Sequence, residues 1–396
     1  MSDLSKSREN AIFFAAFASG LVTFGLLYSP QPILHLLSAR FDVPPHVSAL
    51  TMSIPMLLLS LASMLMVYIG GMASLGRIVP AAIVAAAVVN LAAVLSPVWE
   101  GLVVGRGVAG ILIGLVPASV MAFVSSEIPP DRMGRAMSWY IFGTGSGGLI
   151  GRLSAGLFAG TQGYQAALGM VSVVAFVVGV LLWFLFPASG VPPAARADAP
   201  RVDIAALKAT VTSPEVISIC TLSFLLMSAF VGIFNYLSYL LSSPRFGLSQ
   251  SSLTFGFLPL ASGIFAVPVF GRIYDRQGPR RMLCFSFGMI FGGALLSVTG
   301  SLWQLFIAIT VIALGAFAGH SAATATLGRL RSVHKTYASS LYMFSYYMGA
   351  SIAGYFTGLI YSYGGWVLVA ALTAGLSVAG MALTLATVRD QPMRRL

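Results

Sequence analysis

The sequence predicts an all-helical membrane protein with twelve transmembrane helices in two six-helix, pseudo-symmetric bundles. Three observations predict it. First, of 396 residues 58% are hydrophobic and only 8% are charged, where a soluble domain carries about 25% charged residues. The mean hydropathy is +0.91, more apolar surface than a water-facing globule can absorb. Second, apolar runs recur at the length of a bilayer crossing. Third, the two halves of the chain repeat one another.

A spanning helix needs about 20 apolar residues. Runs that meet this lie near 11–36, 47–72, 78–98, 101–124, 136–160, 166–187, 214–241, 251–270, 282–300, 302–327, 337–361 and 366–388. The loops between them are short, so consecutive helices are expected to be antiparallel neighbours. The exception, 188–213, is rich in Pro and Ala and carries both signs of charge. It reads as a linker between an N-terminal bundle at 1–187 and a C-terminal bundle at 214–396. At an offset of 202 residues, Tyr140, Phe142, Gly147, Ile150, Gly156 and Leu157 match Tyr342, Phe344, Gly349, Ile352, Gly358 and Leu359. Parallel six-helix repeats around a midplane cavity are a transporter architecture.

The formal net charge of +11 invites a nucleic-acid reading, but the basic residues sit in short loops. Topology explains them better: cytoplasmic loops carry an excess of Lys and Arg. Of the 22 Lys and Arg, Arg40 and Arg245 fall on one side, Arg106 and Arg152 fall inside spans, and the other 18 share the opposite side with both termini. The expectation is an inner (plasma) membrane protein with both termini and the linker cytoplasmic, without nucleic-acid partners. Cys220 and Cys284 lie in apolar runs and read as unpaired small hydrophobes. No phosphate loop or metal-ligand spacing appears, so the sequence predicts neither an enzyme nor a bound cofactor.

Charge inside a bilayer is costly and marks function by default. Arg106 and Arg152 are the basic candidates. For Arg106, a clamp on neighbouring helix carbonyls and a coupling role both stay open. His320 is the clearly intramembrane group that titrates near neutral pH. None of the eleven acidic residues lies in the middle of an apolar span. Arginines without a carboxylate disfavour organic cations and suit anionic, zwitterionic or neutral solutes. Tyr28 and Gln31 flank Pro30 and Pro32, which should distort the first helix and expose its carbonyls. Asn235 and Tyr239 are four apart and share a helix face; Tyr346 completes the cavity set.

The stretch GRIYDRQGPRR at 271–281 concentrates four arginines and one aspartate. Asp275 can pair with an arginine or cap a helix, Gly278 and Pro279 turn the chain, and Gly271 should let helices approach. The phrase resembles the loop signature of the major facilitator superfamily, filled by Gly271, Asp275, Arg276, Gly278, Arg280 and Arg281. The resemblance implies a cytoplasmic latch that stabilises an outward-facing state. The equivalent place in the first half, YIGGMASLGRIV at 68–79, keeps Gly71, Gly76 and Arg77 but lacks the aspartate. LVVGRGVAGILIG at 102–114 resembles the family's fourth-helix motif, which links Arg106 to proton coupling. SSEIPPDRMGRA at 125–136 resembles the following loop, with Glu127, Pro130, Arg132, Gly134 and Arg135 in place. GTGSGGLIGR at 143–152 resembles the glycine motif of antiporters, with Gly148 where proline is usual and Arg152 where glycine is usual. The opening at 23–43 and the stretch 230–241 look like a YnfM-like group of drug and metabolite exporters.

The resemblance implies a monomeric secondary transporter that exports a small organic metabolite or drug by alternating access, driven by proton antiport. Its partners are then a small-molecule substrate, protons and membrane lipid. Two alternatives stay open: an uptake symporter for an organic anion or sugar, and a transporter-like sensor that moves nothing.

Overall fold

The computed structural model describes residues 6–69, 75–186, 203–298, 300–330 and 333–389. Among these every regular element is helical. The helices are α1 (Lys6–Tyr28), a 3-10 turn (Gln31–Ile33), α2 (Leu34–Phe41), α3 (Pro45–Ser48), α4 (Leu50–Ile69), α5 (Leu75–Val94), α6 (Trp99–Glu127) and α7 (Pro130–Leu185). After them come α8 (Ile204–Val211), α9 (Pro214–Ser242), α10 (Gln250–Thr254), a 3-10 turn (Phe255–Phe257), α11 (Leu260–Gln277), α12 (Pro279–Leu296), α13 (Leu302–Arg329) and α14 (Lys335–Thr387).

Two of these are too long for one crossing and each contains a break. In α7 the break is Gly163, at φ 81° and ψ 168°. In α14 it is the pair Gly364 and Gly365, the latter at φ 60° and ψ −150°. Positive φ is open to glycine because it has no Cβ. Both breaks fall where the sequence places the boundary between two spans. Elsewhere proline and small caps set the ends. Ser213 caps α9 by accepting from the Val216 N–H, with Pro214 in the first turn. Ser301 and Gln304 form a reciprocal capping box at the start of α13.

Two corrections concern the 271–281 phrase. The sequence reading ends one span near 270, turns the chain at Gly278 and Pro279 and begins the next helix at Arg280 and Arg281; the turn holds, but the loop before it does not. Instead α11 continues through Gln277 and α12 begins at Pro279, so the turn is Gly278 alone, at φ 86°. Nothing in GRIYDRQ breaks a helix, whereas Gly278 stops one and Pro279 suits the first turn of the next. Gly271 does not bring backbones together: a methyl group there meets open space.

The chain forms two compact units, Met1–Ile33 with Ile54–Val202, and Leu34–Ser53 with Asp203–Leu396. In the first, α1 packs most extensively on α7, and α5 packs on α6 and α7. Three glycines make the α1–α7 approach possible. Methyl groups at Gly143, Gly147 and Gly151 would collide with backbone at Phe17, Leu21 and Gly25 respectively. The glycines and their targets both step by four residues, one stripe facing another. In the second unit, α9 packs most extensively on α14, and a methyl at Gly349 would collide with the Phe224 backbone. Gly349 is the repeat partner of Gly147, so the same close approach occurs in each half. The short helices α2 and α3 also belong to the second unit, where α2 packs on α9 and α3 on α14.

A methyl group at Gly147 meets backbone that cannot yield. Gly147→Ala is therefore expected to destabilise the purified protein by about 1–3 kcal/mol, read as a lowered thermal midpoint. Gly292→Ala, inside α12 where the methyl meets open space, should not lower the midpoint and should raise it slightly.

Candidate functional site

In the first unit, site geometry begins with one missing donor. Pro30 has no N–H, so the Leu26 carbonyl four residues earlier loses its helical partner. α1 stops at Tyr28 and the chain passes through a turn into Gln31–Ile33. Arg106 on α6 takes up the freed carbonyls. Its Nη1 donates to the Leu26 carbonyl at 2.9 Å and its Nη2 to the Leu27 carbonyl at 2.9 Å. The Ser29 hydroxyl also donates to the Leu26 carbonyl, at 3.1 Å. Arg106 Nη1 donates further to Asn90 Oδ1 on α5 at 2.9 Å, and Asn90 Nδ2 donates to the Ser172 hydroxyl on α7 at 2.8 Å. Arg106 is 1% exposed. One guanidinium thus ties α1, α5 and α6 together, and Asn90 extends the tie to α7.

Arg152 on α7 meets the same broken segment from its other side. Its Nε donates to Gln31 Oε1 at 2.5 Å, and its Nη1 donates to the Gly148 carbonyl at 2.6 Å. Its guanidinium carbon lies 4.0 Å from the centre of the Tyr28 ring, a cation–π stack. Gly148 carries no side chain where Arg152 folds back along α7: a methyl there would lie 3.1 Å from Arg152 Nη1. Tyr28, Gln31 and Arg152, predicted separately, therefore form one buried cluster.

The other sequence candidates fall into four further groups. In the second unit, the Tyr239 hydroxyl donates to the Leu34 carbonyl at 3.0 Å and pairs with the Ser48 hydroxyl at 2.6 Å. Asn235 is fully buried one turn away, facing Gly354. His320 Nδ1 lies 2.9 Å from the Tyr342 hydroxyl, and its ring centre lies 4.8 Å from that of Tyr346. Tyr347 turns inward and is buried. At the end of α11, Asp275 Oδ1 accepts from Arg329 Nη2 at 2.6 Å, and Arg329 stacks over Tyr274 at 4.7 Å. Arg280 Nη2 donates to the Leu385 carbonyl at 3.1 Å, while Arg276 and Arg281 are exposed.

Glu127 and Arg135 stand at the α6–α7 turn. Glu127 accepts from Arg8 at 3.1 Å, and Glu9 accepts from Arg132 at 2.6 Å. Adjacent residues of opposite sign on α1 thus meet opposite signs across the turn. Arg135 lies over the Phe13 ring at 5.5 Å. The sequence reading missed Asn90, Glu9 and Arg329 as partners. The only signal for the crossed pairs was the Arg8–Glu9 doublet facing the Glu127–Arg132 spacing. Within the degenerate phrase at 68–79, residues 70–74 lie outside those described. Arg77 donates to the Trp183 carbonyl at 3.3 Å and stacks over its ring at 5.1 Å.

Two outcomes separate structural from surface charges. Arg106→Leu leaves buried acceptors unsatisfied, at about 1–3 kcal/mol each, so the thermal midpoint in detergent should drop clearly. An unchanged midpoint removes the clamp. Asp275 and Arg329 side chains are 66% and 52% exposed, and such pairs contribute about 0–1 kcal/mol. Asp275→Asn should therefore leave the midpoint nearly unmoved, so that a change in transport rate reports on conformation.

Comparison with known proteins accords with this geometry. The Major Facilitator Superfamily model matches residues 12–281 and again 256–395. The MFS-type transporter YybF of Bacillus subtilis is 31% identical over 376 residues, covering 93% of this chain and 91% of that protein. The inner membrane transport protein YnfM of Escherichia coli is 31% identical over 375 residues, covering 93% and 88%. The multidrug resistance protein MdtG of Proteus mirabilis is 25% identical over 214 residues, covering 52% of each. A bacterial homologue of the lysosomal transporter Spinster superposes with a TM-score of 0.75 at 15% identity, covering 97% of this chain and 96% of that one. With helices throughout the described residues, breaks at the expected span boundaries, and a family match that runs across both halves, the chain is a multi-pass membrane transporter of the Major Facilitator Superfamily.

Proposed function

We propose that this protein is a secondary transporter of the inner membrane that exports a small organic metabolite or drug by alternating access, with proton antiport as the driving force. The observation that carries the reading is the broken first helix with two buried arginines converging on it. Intramembrane charge and interrupted helices mark solute and ion pathways in transporters. Similarity to an inner membrane transport protein along most of the chain, and to a multidrug resistance protein over half of it, supports export. Two bundles at 1–187 and 214–396, joined by a cytoplasmic linker at 188–213, form the moving parts of a monomer. The excess of Lys and Arg in the short loops on one side supports a cytoplasmic position for both termini.

In this reading His320, bonded to Tyr342 and beside Tyr346, carries the coupling proton, and Arg106 maintains the helix break. Asp275 with Arg329, together with Glu127 and Arg135, act at the gate. In inside-out vesicles, probe uptake driven by an imposed pH gradient should collapse on addition of a protonophore. His320→Gln should abolish the pH dependence while leaving downhill exchange of the probe. Flux indifferent to the pH gradient in the unmodified protein removes proton coupling.

A further inference from the structure

Arg152 has three features of a head-group site. The residue is 3% exposed, its guanidinium lies on an aromatic face, and its Nε bonds the neutral amide oxygen of Gln31. A guanidinium presents a planar fork of donors that matches a carboxylate in two places at once. A charged acceptor at that edge is a stronger partner than an amide oxygen. The sequence places no acidic residue in the middle of any span, so a carboxylate reaching this depth comes from a ligand.

The surroundings indicate the rest of the ligand. Phe17, Phe24 and Tyr28 step by seven and four residues along α1 and share one face. Phe24 and Tyr28 rings lie 6.2 Å apart. Near the other end of the stripe, Phe17 stacks on Phe142 and meets Trp139 edge-on, each at 5.9 Å. Trp139 and Phe142 are 41% and 39% exposed. A cavity of about 210 Å³ opens there, lined by Phe13, Phe17, Trp139 and Arg135. An aromatic stripe thus runs from an open cavity to a buried arginine.

We infer that Arg152 is the head-group site for an amphipathic organic anion, a flat aromatic carboxylate, whose carboxylate displaces the Gln31 side-chain oxygen. This rests on the reading of the chain as a transporter of small organic solutes and names the substrate class. Gln31 is fully buried in the 3-10 turn next to Ile33, where the chain leaves one compact unit for the other. Displacing it links head-group binding to the turn.

The test uses a matched series on the full-length purified protein: 1-naphthoate, 1-naphthylmethanol and 1-naphthylmethylammonium. Naphthoate should raise the thermal midpoint of the unmodified protein, and the alcohol and the cation should not. Arg152→Gln should weaken apparent naphthoate affinity about tenfold or more, as expected for a lost charged hydrogen bond. Gln31→Glu supplies an internal carboxylate, so it should stay folded and lose the naphthoate response. It decides the matter if Arg152→Gln fails to fold. Gln31→Ala should keep the response. No naphthoate shift in the unmodified protein, an equal shift from the ammonium probe, or a response that survives in a folded Arg152→Gln or Gln31→Glu variant overturns the assignment. Proteoliposome flux of the same probes separates the two readings. Transport of the cation without naphthoate binding leaves the transporter reading standing and removes this one. Naphthoate binding at Arg152 without flux of any probe does the reverse.

Discussion

The first unit depends on one exchange of hydrogen-bond partners. Pro30 deprives the Leu26 carbonyl of its helical donor, and in a bilayer no water is present to replace it. Arg106 supplies the donor and takes the Leu27 carbonyl as well. With the break held open, the chain can turn at Ser29 and Pro30 and set Tyr28 and Gln31 against Arg152. Asn90 orients the Arg106 fork from α5 and passes the tie on to Ser172. The rest of the cluster follows from a backbone defect satisfied by a cation.

The second unit solves the same packing problem with neutral chemistry. Where Gly147 meets Leu21 in one half, Gly349 meets Phe224 in the other. Hydroxyls then bridge the helices: Ser228 donates to the Gly349 carbonyl at 3.1 Å, and Tyr236 donates to the Gly354 carbonyl at 2.5 Å. Rings complete the contact, with Tyr236, Tyr239 and Tyr361 mutually within 5.5–5.8 Å. The duplication keeps the glycine approach and divides the polar chemistry, with buried arginines in the first unit and phenols and an imidazole in the second.

The sequence made legible whatever local chemistry decides. The apolar runs placed span boundaries where the structure breaks its helices at Gly163 and Gly364–Gly365, and Pro30 with Pro32 announced the distorted first helix. Arg152 stood out because charge in an apolar run has few explanations. What stayed hidden depended on the facing helix. Gly271 looks like a packing glycine in sequence but faces open space. The helix through Gln277 could not be separated from a loop, because arginines and an aspartate suit either. Arg329 as the partner of Asp275 is 54 residues away, and the crossed pairs of Arg8 and Glu9 span more than a hundred. No spacing rule reaches that far.

The place of residues 34–53 has a consequence for how the chain is made. They belong to the compact unit built from 203 onward, and Tyr239 meets Leu34 across 205 residues. During synthesis from the N-terminus this stretch emerges long before α9 and α14, and its contacts with those helices form only after both have been made. Two fragments divided in the linker would each be incomplete: the second lacks part of its own packing surface, and the first carries it. In this conformation the packing surface of the C-terminal helices is therefore completed by a piece of the N-terminal sequence.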